Sequence, residues 1–125
     1  MADPPQFGAS VPFAVSVRHL DRIVCCALEG ELDHQTAPIL LDAVGDLAEG
    51  TVEVVVLDCT KLAFVDACGL TALLRTRASV AAVGAELTVA NPPTLLCRIL
   101  AATSLAEVLP VADDRLLATL ATAGR

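Results

Sequence analysis

From Phe13 onward, hydrophobic and polar residues alternate, so that Phe13, Val15 and Val17 fall on one side of an extended chain. This period of two predicts a β-strand. A second apolar run at residues 23–28 follows a short charged segment, and the two strands are therefore predicted to form a hairpin. Residues 1–12 show no such periodicity and contain three prolines, which predicts a flexible N-terminal segment.

Helical spacing of apolar residues appears four times along the rest of the chain. These segments are predicted to be amphipathic helices and lie at residues 37–47, 69–83, 92–100 and 113–120. We expect Asp33 and Asn91 to cap the first and the third of these helices, because short polar side chains accept hydrogen bonds from free N–H groups there. Gly50 and Gly84 are expected to end the first and the second.

Short apolar runs between the helices predict further strands at residues 52–57 and 87–90, with a weaker one at 105–111. The resulting order is β-β-α-β-α-β-α-(β)-α. It predicts a single α/β domain over residues 13–125, with a mixed, mostly parallel β-sheet and helices packed on it. Functional loops in such sheets gather at the carboxyl ends of strands, which here are residues 29–36, 58–69 and 90–94.

Composition and charge narrow the classes of function. The chain of 125 residues is 55% hydrophobic and carries eight Lys and Arg against fifteen Asp and Glu, a net charge of −7. Duplex-binding proteins need the opposite sign, and single-strand platforms need aromatic side chains, of which the chain has only three Phe. We therefore expect no nucleic-acid partner. Eight carboxylates and no Lys or Arg lie between Glu29 and Asp58, which fits either a solvated face or a face that meets a basic partner.

The N-terminal residues lack the features of a signal peptide, and no apolar run approaches the roughly 20 residues that span a bilayer. We therefore expect a cytoplasmic protein with no membrane partner. The five cysteines form no CxxC pair and show no metal-ligand spacing. In a reducing compartment they are therefore expected to be buried thiols rather than a disulfide framework. No metal or other cofactor is expected.

Residues 58–70, which read DCTKLAFVDACGL, carry the clearest chemistry. Asp66 is placed to cap the following helix, which leaves the N–H groups of Ala67, Cys68 and Gly69 pointing outward. A helix start of this kind accommodates negative charge, including phosphate. Gly69 allows a partner or another backbone segment to approach closely.

Two motifs carry a resemblance to a known family. The first comprises Asp58-x-Thr60, Leu62-x-Phe64-Val65 and Asp66-x-x-Gly69-Leu70, and it resembles the signature loop of STAS domains, in particular those of bacterial anti-sigma factor antagonists. The second, which resembles another motif of that family, comprises Gly30-Glu31-Leu32-Asp33, His34 and Thr36-Ala37. The spacing of the two motifs and the predicted element order from about Phe13 also agree with the family.

The resemblance implies a protein that binds rather than catalyses. Such antagonists bind an anti-sigma factor, usually one with a histidine-kinase-like ATP-binding fold, and so free a sigma factor for transcription. Docking is expected through the loops at residues 29–36 and 58–69. The expected partner-binding residues are Glu31, Asp33, His34, Thr36, Asp58, Thr60, Asp66, Ala67, Cys68, Gly69 and Leu70. The oligomeric state, the sigma factor and the anti-sigma factor stay open.

The chain departs from the family at the position that receives phosphate. The resemblance implies a partner that often acts as a serine kinase on the hydroxyl residue directly after the loop aspartate. The family's Asp-Ser-Ser-Gly is here Asp66-Ala67-Cys68-Gly69, so the acceptor-equivalent position, Ala67, has no hydroxyl. Thr60 and Thr71 are nearby hydroxyls, but neither occupies that position. The usual switch is therefore missing.

Other interpretations of the same residues stay open at this point. Asp33 and Asp66 fit helix capping as well as docking, and both roles are compatible on one carboxylate. Cys68 fits either a small filler or a candidate redox residue at a helix start, although the Asp66 carboxylate opposes thiolate charge there. The alternative function is thus a ligand- or redox-sensing STAS module with Cys68 as sensor, and a third is a structural subunit of a signalling assembly. A Cys68–His34 nucleophilic pair lacks an orienting third group, so hydrolase chemistry is not expected.

Overall fold

The computed structural model describes residues 13–47 and 52–112, which form four strands and three helices. In chain order they are β1 (Ala14–Leu20), β2 (Ile23–Leu32), α1 (Ala37–Leu47), β3 (Val54–Val65), α2 (Ala67–Ala82), β4 (Glu86–Ala90) and α3 (Thr94–Ala102), followed by a short 3₁₀ helix (Ser104–Glu107). The predicted order of the described elements is confirmed, apart from the last strand.

The strands form one mixed sheet in the order β1-β2-β3-β4. β1 and β2 pair antiparallel as the predicted hairpin, and Asp21 adopts a left-handed backbone conformation (φ 62°) in its turn. The pairs β2–β3 and β3–β4 are parallel, which confirms the predicted mixed, mostly parallel sheet. Cys26, Leu57 and Val89 lie side by side across these three strands.

The three helices pack on one face of the sheet and form the main core with it. Its fully buried leucines include Leu28, Leu40, Leu57, Leu73 and Leu96. Burial of each such side chain contributes about 1.5–3 kcal/mol of transfer free energy. A smaller cluster of buried residues lies on the opposite face of the sheet and comprises Cys25, Val56 and Ala90.

β2 and β3 extend further than the apolar pattern predicts. β3 continues to Val65, so residues 58–65 are strand rather than loop, and α2 begins at Ala67 rather than at residue 69. Thr60 and Lys61 are exposed within β3, and these polar positions interrupt the apolar run on which the prediction relied. The register of β2 against β3 shifts twice, between Ala27 and Glu29 and between Gly30 and Glu31, with the extra residue in β3 each time, and the strands stay paired as far as Leu32 and Val65.

The weak strand predicted at residues 105–111 is wrong. The segment contains the 3₁₀ helix and a single parallel bridge between Val111 and Val89 of β4. Thr103 caps the 3₁₀ helix by accepting a hydrogen bond from the N–H of Leu105. The predictions for residues 1–12, for Gly50 and for the helix at 113–120 lie outside the described residues. Within them, no helix combines the length and apolar character needed to cross a bilayer.

Candidate functional site

A hydrogen-bonded loop connects β2 to α1. The Thr36 hydroxyl donates to the carbonyl oxygen of Glu31 at 2.7 Å and accepts from the N–H of Asp33 at 2.9 Å. The Asp33 carboxylate accepts from the N–H groups of Gln35 at 2.9 Å and Thr36 at 3.1 Å. Asp33 therefore caps the turn that opens α1, as predicted. This loop places the exposed His34 at its tip.

Asp66 caps α2 at the end of β3. Its backbone is extended (φ −102°, ψ −170°), and its carboxylate accepts from the N–H of Gly69 at 2.8 Å. Ala67 and Cys68 follow as exposed residues in the first turn of the helix. Among the described residues, the N–H groups of Ala67 and Cys68 donate no hydrogen bond. The helix start is thus open to a docking partner.

Gly69 brings these two segments into contact. The N–H of Asp66 donates to the carbonyl oxygen of Leu32 at 3.4 Å. A β-carbon at Gly69 would overlap that same carbonyl oxygen and would lie 3.1 Å from Cγ1 of Val65. Because Leu32 immediately precedes Asp33, this close approach holds the β2–α1 loop beside the start of α2.

A groove of about 320 Å³ runs between α1 and α2 next to these loops. We call it the α1–α2 groove. Its lining includes His34, Ala37, Pro38, Leu41, Cys68 and Arg75. Sequence reasoning did not find Pro38 and Leu41 as site residues, because only the packing of α1 against α2 brings them next to Cys68.

Asp58 and Thr60 lie away from the groove. Asp58 pairs with Ala27 and Ala90 in the middle of the sheet. Asp58 and Thr60 line a hollow together with Arg18 and Cys25, on the face opposite the main core. Seven residues of β3 lie between Asp58 and Asp66, an extended span of roughly 26 Å. The structure therefore separates the expected docking residues into two groups.

Asn91 completes the group around Asp58. The Asp58 carboxylate accepts from the Thr60 hydroxyl at 2.6 Å, from the Thr60 N–H at 3.0 Å and from the Asn91 side-chain amide at 3.3 Å. The prediction that Asn91 caps α3 is wrong, since the residue before the helix is Pro93, which forms no side-chain cap. Asn91 adopts a left-handed conformation (φ 53°) and links the end of β4 to β3.

The surroundings of Asp58 lower the pKa of its carboxyl group. Burial alone would raise the pKa of this carboxyl group, but the hydrogen bonds from Thr60 and Asn91 and the charge of Arg18 outweigh it and lower the pKa. Burial also raises the pKa of the Cys26 and Cys59 thiols, each to about 12. These thiols therefore stay protonated at neutral pH.

All five cysteines are free thiols, and the prediction that they are buried holds for three of them. Cys25, Cys26 and Cys59 are buried, whereas Cys68 and Cys97 are exposed. Burial, followed by the negative charge of Asp58, raises the pKa of Cys25 as well. Cys68 is thus the exposed thiol at the candidate site.

Comparison with protein families gives one match. The family model described as the STAS domain matches residues 14–123. The chain belongs to the STAS domain family. The match covers the whole described fold of this STAS domain and both loops, and it confirms the resemblance carried by the two sequence motifs. A comparison with curated protein sequences finds no match.

Solved structures agree with this STAS fold. An anti-sigma factor antagonist from Mycobacterium paratuberculosis is 22% identical, with a TM-score of 0.72 over 91% of this chain and 96% of that one. The antagonist SpoIIAA in its unphosphorylated form is 21% identical, with a TM-score of 0.68 over 90% and 98%. SpoIIAA of Bacillus in its phosphorylated form is 20% identical, with a TM-score of 0.66 over 85% and 97%. Because these three structures are only 20–22% identical to this chain, their similarity shows a shared fold.

Proposed function

We propose that this STAS domain is an anti-sigma factor antagonist, which binds an anti-sigma factor with a histidine-kinase-like ATP-binding fold and so releases a sigma factor for transcription. It acts by binding and not by catalysis. The observation that carries the proposal is the junction at Gly69. The contact with Leu32 holds the β2–α1 loop against the start of α2, so the second motif and the Asp66–Leu70 end of the first present one continuous surface.

The proposed docking surface is narrower than the full set of motif residues. It comprises the end of β2, the β2–α1 loop and the start of α2, with Glu31, Asp33, His34, Thr36, Asp66, Ala67, Cys68, Gly69 and Leu70. We assign Asp58 and Thr60 a structural role instead, because their hydrogen bonds run to each other and to Asn91.

Regulation of the proposed antagonist does not use a phosphoserine at the start of α2. SpoIIAA, which shares the fold, has been solved in a phosphorylated form. Ala67 stands directly after the capping Asp66 and offers no hydroxyl for phosphate. We therefore propose that the protein is competent to bind without covalent modification, and that its control lies in expression or in another residue.

Binding and mass spectrometry test this function. Each ATP-binding anti-sigma factor encoded in the same genome would be purified and titrated into the unmodified protein by calorimetry, and at least one is expected to bind. Incubation of that pair with ATP should leave residues 58–71 unmodified. Stoichiometric phosphate on Thr60 or Thr71 would contradict the proposal that phosphorylation does not regulate this protein. If no anti-sigma factor forms a complex, the proposed antagonist function is wrong.

A carboxylate introduced at position 67, compared with one introduced elsewhere on α2, tests whether the start of α2 belongs to the docking surface. Ala67→Glu puts a carboxylate at the exposed helix start, as a phosphate would, and is expected to weaken the complex at least about tenfold through repulsion and desolvation. Ala78→Glu makes the same change at an exposed position further along α2, and it should change the affinity less than about twofold. Equal effects of the two variants would remove the start of α2 from the interface.

A second candidate function is redox sensing through Cys68. The observation in its favour is that Cys68 is exposed at the docking surface while three other thiols are buried. If it holds, mild peroxide should alter partner binding in the natural protein and have no effect on Cys68→Ser. An unchanged response in that variant would assign the effect to another cysteine, with the exposed Cys97 as the first to examine.

A further inference from the structure

Much of the lining of the α1–α2 groove is apolar. Ala37, Pro38 and Leu41 line one wall from α1, and Ala72 lines the other from α2. At about 320 Å³ the groove lies at the small end of the roughly 300–1,000 Å³ range of small-molecule sites. Its size therefore suits one or two protein side chains.

Arg75 supplies the charge in the lining of this groove. Arg75 is exposed and forms no ion pair with any of residues 13–47 or 52–112, where the single ion pair joins Arg22 to Glu53. The carboxylates at the same end of the molecule, Asp33 and Asp66, accept hydrogen bonds from backbone N–H groups of their own loops. A guanidinium with no ion pair among residues 13–47 and 52–112 thus lies beside apolar side chains, on a chain whose net charge is −7.

We propose that the α1–α2 groove receives a segment of the partner in which an apolar side chain stands next to a carboxylate. The apolar side chain packs on Pro38 and Leu41, and the carboxylate pairs with the guanidinium of Arg75. This geometry suits arginine, whose planar fork binds a carboxylate through two parallel hydrogen bonds. The rest of the surface is acidic and favours a basic partner. Against that background, the pairing of one partner carboxylate with Arg75 fixes how the two surfaces align. The inference rests on the proposed function, since the occupant belongs to the anti-sigma factor.

The two exposed cysteines give the experiment an internal control. Cys68 lines the groove, whereas Cys97 lies on α3 and outside it. The wild-type protein, alone and saturated with the anti-sigma factor that binds it, would be treated with a thiol-specific reagent and followed by peptide mass spectrometry. The complex should slow labelling of Cys68 at least about fivefold, because the centre of an interface excludes solvent. Labelling of Cys97 should be unchanged.

Charge variants on α2 test the carboxylate. Arg75→Glu should weaken binding at least about tenfold, and Arg75→Lys, which keeps the charge but loses the planar fork, should weaken it by a smaller factor. Arg77→Glu is the matched control, because Arg77 lies two residues further along α2, is exposed and lines a different hollow. Its effect should stay below about twofold. The circular dichroism spectra of the variants should match that of the wild type.

The outcomes separate this inference from the function on which it rests. A complex that leaves Cys68 fully reactive, or in which Arg75→Glu and Arg77→Glu have equal effects, overturns the groove proposal and leaves the antagonist function standing. Failure of every anti-sigma factor to bind the wild-type protein overturns both. Protection of Cys68 together with selective loss of affinity in Arg75→Glu supports both.

Discussion

Replacing Gly69 with alanine places a methyl group against the backbone of Leu32. The new β-carbon would overlap the Leu32 carbonyl oxygen and would lie 2.9 Å from the carbonyl carbon. A flexible side chain could rotate away, but these atoms belong to β2 and are held by its pairing with β3. The contact can be relieved only if α2 moves away from the β2–α1 loop.

Two opposing effects set the size of the change. Alanine favours a helix over glycine by about 1 kcal/mol. Overpacking in a well-packed region typically costs about 1–3 kcal/mol and sometimes more. Because the overlap involves backbone, the upper part of that range applies, and we expect Gly69→Ala to lower the free energy of unfolding by about 1–2 kcal/mol overall. The proposed docking surface should be disturbed as well, because its two loops share this contact.

Gly45→Ala in α1 is the matched control. A β-carbon at Gly45 meets no atom within 4 Å, so this variant should gain about 0.5–1 kcal/mol from helix propensity alone. Urea unfolding followed by far-ultraviolet circular dichroism measures both variants, since the chain has no Trp to report by fluorescence. If Gly69→Ala is as stable as Gly45→Ala, the close approach to Leu32 does not hold the loops together.

Three further predictions use the same hydrogen bonds and burial. Thr36→Val removes the hydroxyl that bridges Glu31 and Asp33, and urea unfolding should show a loss of about 1–2 kcal/mol. The lowered pKa of Asp58 stabilises the fold above the ordinary carboxyl pKa of about 3.9, and this contribution disappears as the pH falls through the lowered value. Asp58→Asn should therefore show a shallower loss of stability in acid than the wild type, and an unchanged acid profile would contradict the assignment. A thiol reagent should titrate only Cys68 and Cys97 in the native protein and the three buried thiols only after unfolding; early reaction of a buried thiol would contradict the core.

Periodicity predicted those elements in which one side faces the core throughout. α1 follows that pattern and occupies the predicted residues, Ala37–Leu47. The β1–β2 hairpin was also predicted, although β1 is mostly exposed and β2 buries residues on both of its faces. The end of β3 does not follow it. Thr60 and Lys61 are exposed in mid-strand, and the register shifts of β2 change which residues face inward. Alternation cannot predict a strand whose pairing is irregular.

The candidate site was predictable only where it depends on local chemistry. The capping roles of Asp33 and Asp66 follow from a short acidic side chain placed before a helix. The partner of Asn91 lies 33 residues away at Asp58, and the contact of Gly69 with Leu32 joins two separate elements. The α1–α2 groove likewise depends on how two helices pack. Such contacts arise from tertiary structure, so a single sequence carries no direct signal for them.

The hydrogen bonds of Asp33 and Thr36 have a consequence for the speed and entropy of association. Fixing the backbone of one residue costs about 1–2 kcal/mol of conformational free energy, and residues 31–36 already have their loop closed by side chains in the unbound protein. A partner that docks here meets a surface that has already lost that entropy during folding. Association then needs no ordering step in this loop, and the encounter rate is set by diffusion, orientation and charge.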